Sequence, residues 1–143
     1  MLFESMTMAP VARILLIDDD PTLAELLDIG LSEQGYEIAG ALTSDDGLKS
    51  ITTSRPDLVL LDIGLPHTNG VEVLKQIRSV DPTIRVIMVT ANRDLRLARE
   101  ALLMGALAYV DKPFDLAYLG RVVAMALRSE TKRPDDLTET DLS

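Results

Sequence analysis

The feature that most constrains the fold is an unbroken apolar run at residues 58–61, which ends at Asp62 and leads into the turn-forming residues Pro66, Asn69 and Gly70. A short apolar run without alternation is typical of a strand buried on both faces, as in a parallel sheet covered by helices. Such sheets bind ligands in the crevice at the carboxyl ends of their strands. We therefore expect Asp62 to lie at the mouth of a crevice, unless it merely starts a loop or caps a helix.

Apolar runs alternate with amphipathic stretches along most of the chain. The predicted strands are 13–17, 37–41, 58–61, 84–89 and 107–110. The predicted helices are 22–34, a second one capped by Ser44, 71–79, 94–104 and 115–128. Asp20 and Pro21 are a typical helix cap and first residue, and Leu23, Leu26, Leu27 and Leu31 have the spacing of one buried helix face. This alternation predicts an α/β doubly wound parallel sheet with helices on both faces and right-handed crossovers.

Charge and residue types exclude several classes of function. The net charge of −9, from 14 basic and 23 acidic residues, argues against direct binding to nucleic acid. The absence of cysteine excludes disulfides, thiolate metal sites and a cysteine nucleophile, and a single histidine, His67, excludes a multi-histidine metal site. Apolar stretches fall short of the ~20 residues of a membrane span. Because the N-terminus does not resemble a signal peptide, we expect a cytoplasmic protein without membrane contact.

The chain is long enough for one domain with a full core. We expect an N-terminal extension at residues 1–10, a folded domain at 11–129 and a disordered acidic tail at 130–143. The tail is predicted from polar, net acidic composition without periodicity.

Polar side chains gather where the predicted strands end. The group comprises Asp18, Asp19 and Asp20 after the first strand, Asp62 after the third, Thr90 after the fourth and Lys112 after the fifth. Two like charges ~4 Å apart repel by about 4 kcal/mol at an effective dielectric near 20, so three carboxylates at one edge need a cation or shared protons. Mg²⁺ suits such oxygen ligands, and a carboxylate can attack a phosphoryl group. A lysine and a hydroxyl would stabilise the transferring group, unless Lys112 only neutralises the edge and Thr90 only caps a helix.

These motifs together resemble the receiver domain of two-component response regulators. The resemblance rests on Asp18-Asp19 after RILLI, on PDLVLLDIGLP, on VIMVTA and on YVDKPF, and it covers about residues 11 to 129. It implies a flavodoxin-like sheet with the strand order 2-1-3-4-5. The loop from Gly64 to Gly70 departs slightly, because the family often has Met-Asp before the final glycine.

The resemblance also implies roles for individual residues. Asp62 would be the phospho-acceptor, and Mg²⁺ would be held by Asp18, Asp19, Asp62 and the backbone carbonyl of Gly64. Thr90 and Lys112 would contact the phosphoryl group, the Lys112–Pro113 bond would be cis, and Thr90 and Tyr109 would act as the switch pair.

The implied function is that of a signalling switch. A sensor histidine kinase or histidine phosphotransfer protein would donate the phosphoryl group. The chain would catalyse only its own phosphorylation and dephosphorylation, and would not be an enzyme in the usual sense. Its output would be a downstream protein target, a fused output domain or phosphorylation-dependent homodimerisation. The fourth helix lacks the charge pattern expected of winged-helix regulators of this family.

Two alternatives come from other classes of protein. Asp18, Asp20 and Thr22 fit the DxDxT motif of haloacid-dehalogenase-type phosphohydrolases, in which Asp18 would be the nucleophile. That family needs a further acidic pair after its lysine, which is missing here, and Asp62 would have no role. A flavodoxin would present hydroxyls and amides in its first loop, not three carboxylates.

Overall fold

The computed structural model describes residues 9–65, 68–91 and 95–128. The strands are β1 (Ala12–Ile17), β2 (Tyr36–Ala41), β3 (Leu58–Leu61), β4 (Arg85–Thr90) and β5 (Ala108–Asp111). The helices are α1 (Pro21–Leu31), α2 (Ser44–Ser54), α3 (Gly70–Val80), α4 (Leu95–Leu103) and α5 (Leu116–Arg128), and a short 3₁₀ turn, Ser32–Gln34, follows α1. Strands and helices alternate from β1 to α5, as the sequence predicted.

The five strands form one sheet in the order β2-β1-β3-β4-β5, and every pairing is parallel. This confirms the predicted doubly wound sheet and its strand order. Ile17 pairs with both Ala41 and Leu61, so β1, β2 and β3 end at the same level. The loops that follow β1 and β3 therefore leave the sheet side by side.

The sheet is covered on both faces. Residues of β3 alternate between two apolar clusters: Val59 and Leu61 pack in the cluster covered by α2, α3 and α4, and Leu58 and Leu60 pack in the cluster covered by α1 and α5. All four side chains are fully buried. This explains why the run carries no alternation of apolar and polar residues.

Helix α1 agrees with the sequence at its start and differs at its end. Asp20 caps it by accepting a hydrogen bond from the Thr22 amide, and Pro21 is its first residue. The predicted helix 22–34 was too long, because the chain tightens into the 3₁₀ turn before Gly35, whose φ is +88°. Leu26 was wrongly placed on the buried face. It is 46% exposed, because the buried stripe consists of Leu23, Leu27 and Leu31.

The predicted cap of α2 was wrong by one residue. Thr43, not Ser44, is the cap, and its Oγ1 accepts a hydrogen bond from the Asp46 amide at 3.1 Å. Thr43 has the extended backbone that a cap requires, whereas Ser44 is already helical. The acidic residues of the first turn, Asp45 and Asp46, lie where the helix dipole favours them.

Some predictions fall outside the described residues. These are most of the extension at 1–10, the tail at 130–143, the loop residue His67 and the first residue of the predicted fourth helix. Among the helices of the described ranges, none is both long and apolar enough to cross a bilayer.

Candidate functional site

Two carboxylates lie side by side where the central strands end. Asp18 follows β1 and Asp62 follows β3, and the strand pairing continues one residue further. The Asp18 amide donates to the Ala41 carbonyl at 3.0 Å, and the Asp62 amide donates to the Ile17 carbonyl at 3.1 Å. Both residues are buried, with Asp18 1% and Asp62 7% exposed. The backbone of the sheet therefore fixes both acids at one place.

Asp18, Asp19 and Asp62 form an acidic cluster. One carboxylate oxygen from each lies within 4.8 Å of the other two, and Asp19 is the exposed member. Charges at this spacing repel by several kcal/mol unless a cation lies between them. Oxygen donors of this kind are the ligands that hard divalent ions prefer.

Asp20 does not join the cluster, although the sequence placed it at the same edge. Its Oδ1 accepts hydrogen bonds from the Thr22 amide at 3.0 Å and from Thr22 Oγ1 at 2.8 Å. The hydrogen bonds from Thr22 hold the pKa of Asp20 below its ordinary value, so the carboxylate is charged and caps α1. Asp20 and Thr22, which suggested a phosphohydrolase motif, are therefore accounted for by the start of a helix.

Lys112 connects the two buried acids. Its backbone amide donates to the Thr90 carbonyl at 3.0 Å, and this places the side chain over the crevice. The ammonium donates a hydrogen bond to Asp18 Oδ2 and a second one to Asp62 Oδ2 at 3.4 Å. The site thus has a resident cation, held by Asp18 more closely than by Asp62.

Burial and pairing set the pKa values of this ion pair. Burial raises the pKa of Asp18 above its ordinary value, opposed by the hydrogen bonds from Lys112 and from the Asp20 amide. For Lys112, burial lowers the pKa, but the hydrogen bond to Asp18 and the charge of Asp62 outweigh it, so the net shift is upward. The Asp18 side chain is fully buried whereas that of Lys112 is 23% exposed, so the acid bears the larger desolvation cost.

The loop after β3 fixes the orientation of Asp62. The Gly64 amide donates to Asp62 Oδ1 at 2.9 Å, which leaves Oδ2 facing Lys112. The Gly70 amide donates to the Ile63 carbonyl at 3.1 Å and brings the start of α3 against this loop. A Cβ on Gly70 would lie 2.5 Å from Ile63 Cα, which no small adjustment relieves. The sequence marked Gly70 only as a turn residue, so its packing role was missed.

Thr90 and Tyr109 share one face of the sheet. Thr90 is the last residue of β4 and is 1% exposed. Tyr109 pairs with Met88, two residues before Thr90, and both Tyr109 and Met88 pack on the face covered by α2, α3 and α4. Because side chains alternate along a strand, Thr90 points to the same face as Met88. The hydroxyl at the site and the half-buried ring are therefore diagonal neighbours.

The structure thus brings Asp18, Asp19, Asp62, Thr90 and Lys112 to one edge. The backbone of Gly64 lies beside them, and Tyr109 lies one step further from the edge. The Lys112–Pro113 bond is cis, as the resemblance implied.

Comparisons with known proteins agree on one family. Residues 14–124 match the model of the response regulator receiver domain. The chain is 38% identical over 104 residues to sporulation initiation phosphotransferase F of Bacillus subtilis (strain 168), covering 73% of this chain and 84% of that protein. It is 35% identical over 128 residues to the regulatory protein AtoC of Escherichia coli (strain K12), covering 90% of this chain but only 28% of AtoC. Other curated relatives, among them the DNA-binding response regulator MtrA of Mycolicibacterium smegmatis, are also longer, and the chain spans 54% of MtrA.

A solved structure shows the same fold. The CheY-like response regulator receiver domain protein from Methanospirillum hungatei JF-1 superimposes with a TM-score of 0.77 at 34% identity, covering 81% of this chain and 93% of that one.

Proposed function

Because this chain belongs to the response regulator receiver domain family, we propose that it accepts a phosphoryl group on Asp62 and passes the signal on by changing a protein contact. One observation carries the assignment to Asp62: it is the carboxylate that lies in the acidic cluster, faces Lys112 and is oriented by the Gly64 amide. Asp18 has the weaker claim to be the nucleophile, since Lys112 occupies its Oδ2 and the Asp20 amide donates to its Oδ1 at 3.0 Å.

The reaction is a transfer between two side chains. A carboxylate oxygen of Asp62 attacks the phosphorus of a phosphohistidine, the P–N bond breaks, and its electron pair returns to the imidazole of the donor. Lys112 lies where its ammonium can neutralise the oxygens of the transferring group, and the Thr90 hydroxyl can donate to the same oxygens. The chain would catalyse this transfer and the later hydrolysis on its own Asp62, with the phosphohistidine of the donor as the source of the phosphoryl group.

The acidic cluster fits Mg²⁺. Asp18, Asp19 and Asp62 offer three carboxylate oxygens within 4.8 Å of one another, and the backbone carbonyl of Gly64 completes the donor set that we propose. Oxygen ligands with room for several waters are what this ion requires. Bound Mg²⁺ would supply positive charge that offsets the repulsion between the acids and the incoming phosphoryl group.

The phosphodonor would be a sensor histidine kinase or a histidine phosphotransfer protein. A mostly apolar groove opens beside Lys112 and is lined by Leu23 and Leu26 of α1 and by Pro113 and Phe114 of the loop after β5. This is where a helix that carries the donor histidine could approach Asp62. We propose that this phosphotransfer takes place in the cytoplasm.

The signal would leave through the face formed by α4, β5 and α5. We propose that Thr90 moves towards the phosphoryl group and that Tyr109 turns inward behind it. On α4, Leu95 is 80% exposed and Leu102 and Leu103 are also exposed, so this face presents apolar surface to a partner. The partner is a second copy, a downstream protein or an output domain of a longer protein. The net charge of −9 argues against nucleic-acid binding by this domain, so we assign any such contact to the output domain.

The acceptor is tested by labelling the purified chain with a small phosphodonor and Mg²⁺. One base-labile phosphate should appear, Asp62→Asn should abolish it, and EDTA should block it. Asp18→Asn is the matched control: it should weaken metal binding, whereas a phosphohydrolase using Asp18 would instead turn over phosphate esters and lose that activity in this variant. Label that persists in Asp62→Asn would refute the assignment.

The switch is tested with beryllofluoride, a phosphoryl mimic. The Tyr109 ring resonances should shift, and sedimentation should show a mass increase if the exposed face binds a second copy. An unchanged Tyr109 would refute the coupling, and an unchanged mass would leave a different protein as the partner.

A further inference from the structure

One buried charge lies far from the proposed site. Four polar or charged residues are buried in the described part of the chain, and three of them, Asp18, Asp62 and Thr90, line the crevice. The fourth, Arg78, lies near the C-terminal end of α3 and is 9% exposed. A buried guanidinium is costly unless it is well bonded, so its contacts indicate what it does for the fold.

Arg78 connects the end of α3 to the end of α4. Its Nη1 donates to the Pro82 carbonyl at 2.9 Å, in the loop between α3 and β4. The rest of the guanidinium packs against Gly105, where an added Cβ would lie 3.0 Å from both Cζ and Nε. Gly105 is thus the place where the guanidinium meets the chain that leaves α4.

Gly105 also ends α4 with a specific hydrogen-bond pattern. Its φ is +102°, its amide donates to the Leu102 carbonyl at 3.1 Å, and the Ala106 amide donates to the Ala101 carbonyl at 3.0 Å. These two bonds form a Schellman motif, which needs a left-handed residue at this position. Any side chain here would meet both the strained backbone and Arg78.

The two ends of α4 differ in how firmly they are held. Near the C-terminal end Ala101 is fully buried and Ala106 is 6% exposed, while Leu102 and Leu103 face outward. The first residue, Leu95, is 80% exposed, and this end lies a few residues after Thr90 in the chain. An ion pair also joins α4 to α3, Lys75–Glu100 at 3.8 Å, but it is exposed on both sides and contributes little.

We propose that Arg78 is a positioning residue that makes the C-terminal end of α4 the fixed point about which a change at Thr90 displaces the helix. This inference rests on the proposed function, since it concerns how the switch reaches the exposed face. With its far end anchored, a helix of nine residues moves mainly at the end near the site. Without the anchor, the same change would loosen the far end.

The test is amide hydrogen exchange on the full chain, with and without beryllofluoride, for the wild type, Arg78→Met, Arg78→Lys and the control Glu100→Gln. Exchange rates are divided by those of β3, so that a general loss of stability cancels. Urea unfolding measures that general loss separately. In the wild type, beryllofluoride should change exchange at 95–99 and leave 102–106 unchanged. In Arg78→Met, exchange at 102–106 should be roughly 10- to 100-fold faster before activation, the range expected for a hydrogen bond to a charged group. The response to beryllofluoride should then spread to these residues.

Arg78→Lys keeps the charge and should show a smaller effect of the same kind, so it carries the test if Arg78→Met does not fold. Glu100→Gln should behave as the wild type. The proposal is overturned if Arg78→Met and Glu100→Gln give the same rates at 102–106, or if beryllofluoride changes both ends of the wild-type helix equally. Beryllofluoride binding, followed by ¹⁹F resonance, tests the proposed function separately, and a failure to bind would contradict that function. The exchange rates of the variants without beryllofluoride would still test whether Arg78 anchors the C-terminal end of α4.

Discussion

Replacing Lys112 with methionine should lower the free energy of unfolding, because the acids of the crevice lose their cation. Methionine keeps the length of the side chain and removes the ammonium that donates to Asp18, whose own side chain is fully buried. Breaking a buried ion pair by removing one partner typically costs about 3–5 kcal/mol. We expect a loss of about 3 kcal/mol in the free energy of unfolding at neutral pH, at the lower end because the Lys112 side chain is 23% exposed and water can partly replace it.

The loss should depend on both pH and Mg²⁺. Burial already raises the pKa of Asp18, so protonation relieves the unpaired charge, and the loss should shrink as the pH falls through the folded-state pKa of this acid. Mg²⁺ should bind the variant more tightly, because no ammonium competes for Asp18. An ion present at 100 times its dissociation constant stabilises by about 2.7 kcal/mol, so Mg²⁺ at that level should bring the variant close to the stability of the metal-free wild type.

Urea unfolding at several Mg²⁺ concentrations measures the stability, and calorimetric titration measures the metal affinity. Lys75→Met is the matched control, because within the described ranges Lys75 pairs with exposed partners, Glu72 at 3.3 Å and Glu100 at 3.8 Å, and such pairs contribute about 0–1 kcal/mol. Equal losses in the two variants, or an Mg²⁺ affinity that falls in Lys112→Met, would refute this reasoning.

Two further predictions concern other positions. Hydrogen bonds from Thr83 Oγ1 at 2.6 Å and from its amide at 2.9 Å hold the pKa of Asp81 below its ordinary value. Asp81 therefore contributes stability above its unfolded-state pKa, and this contribution is lost as the pH falls through the lower folded-state pKa. Asp81→Asn should flatten the acid limb of the unfolding free energy measured with urea at a series of pH values. An unchanged limb would contradict this prediction. The aspartyl phosphate should be long-lived, because Gly64 has no side chain to orient an attacking water. Gly64→Asn should speed phosphate loss in a dephosphorylation time course, and the new Cβ would lie an ordinary 3.6 Å from Asp62 Oδ1. Asn92→Glu, at a position outside the described residues, should also speed it, and unchanged rates in both variants would contradict this prediction.

The features that could be predicted from sequence are those that depend on local pattern and on topology. The apolar run at 58–61 predicts a buried strand because no polar residue interrupts it, and parallel strands bring their carboxyl ends to one edge whatever their exact pairing. Asp18, Asp62 and Lys112 could therefore be placed together without knowledge of any contact.

What could not be predicted depends on register and on close packing. Whether Lys112 bonds more closely to Asp18 or to Asp62 is decided by side-chain geometry after Ile17 and Leu61 have paired. The close approach of Gly70 to Ile63 and the contact of Arg78 with Gly105 each depend on how separate parts of the chain pack together, which the sequence does not specify.

The charge balance of the site explains why its lysine should change partners during signalling. Three carboxylates and one ammonium leave a formal charge of about −2, which a bound divalent cation would neutralise. On the proposed function, phosphorylation replaces the single charge of Asp62 by about −1.5 to −2, carried on oxygens that project into the crevice. The new excess would lie on the Asp62 side of Lys112, whose ammonium is already 3.4 Å from Asp62 Oδ2, and a bound metal would offset part of the charge of Asp18. The attraction on Lys112 therefore shifts towards the phosphoryl group, and because its backbone amide is bonded to the Thr90 carbonyl, the same shift acts on the end of β4 from which the switch begins.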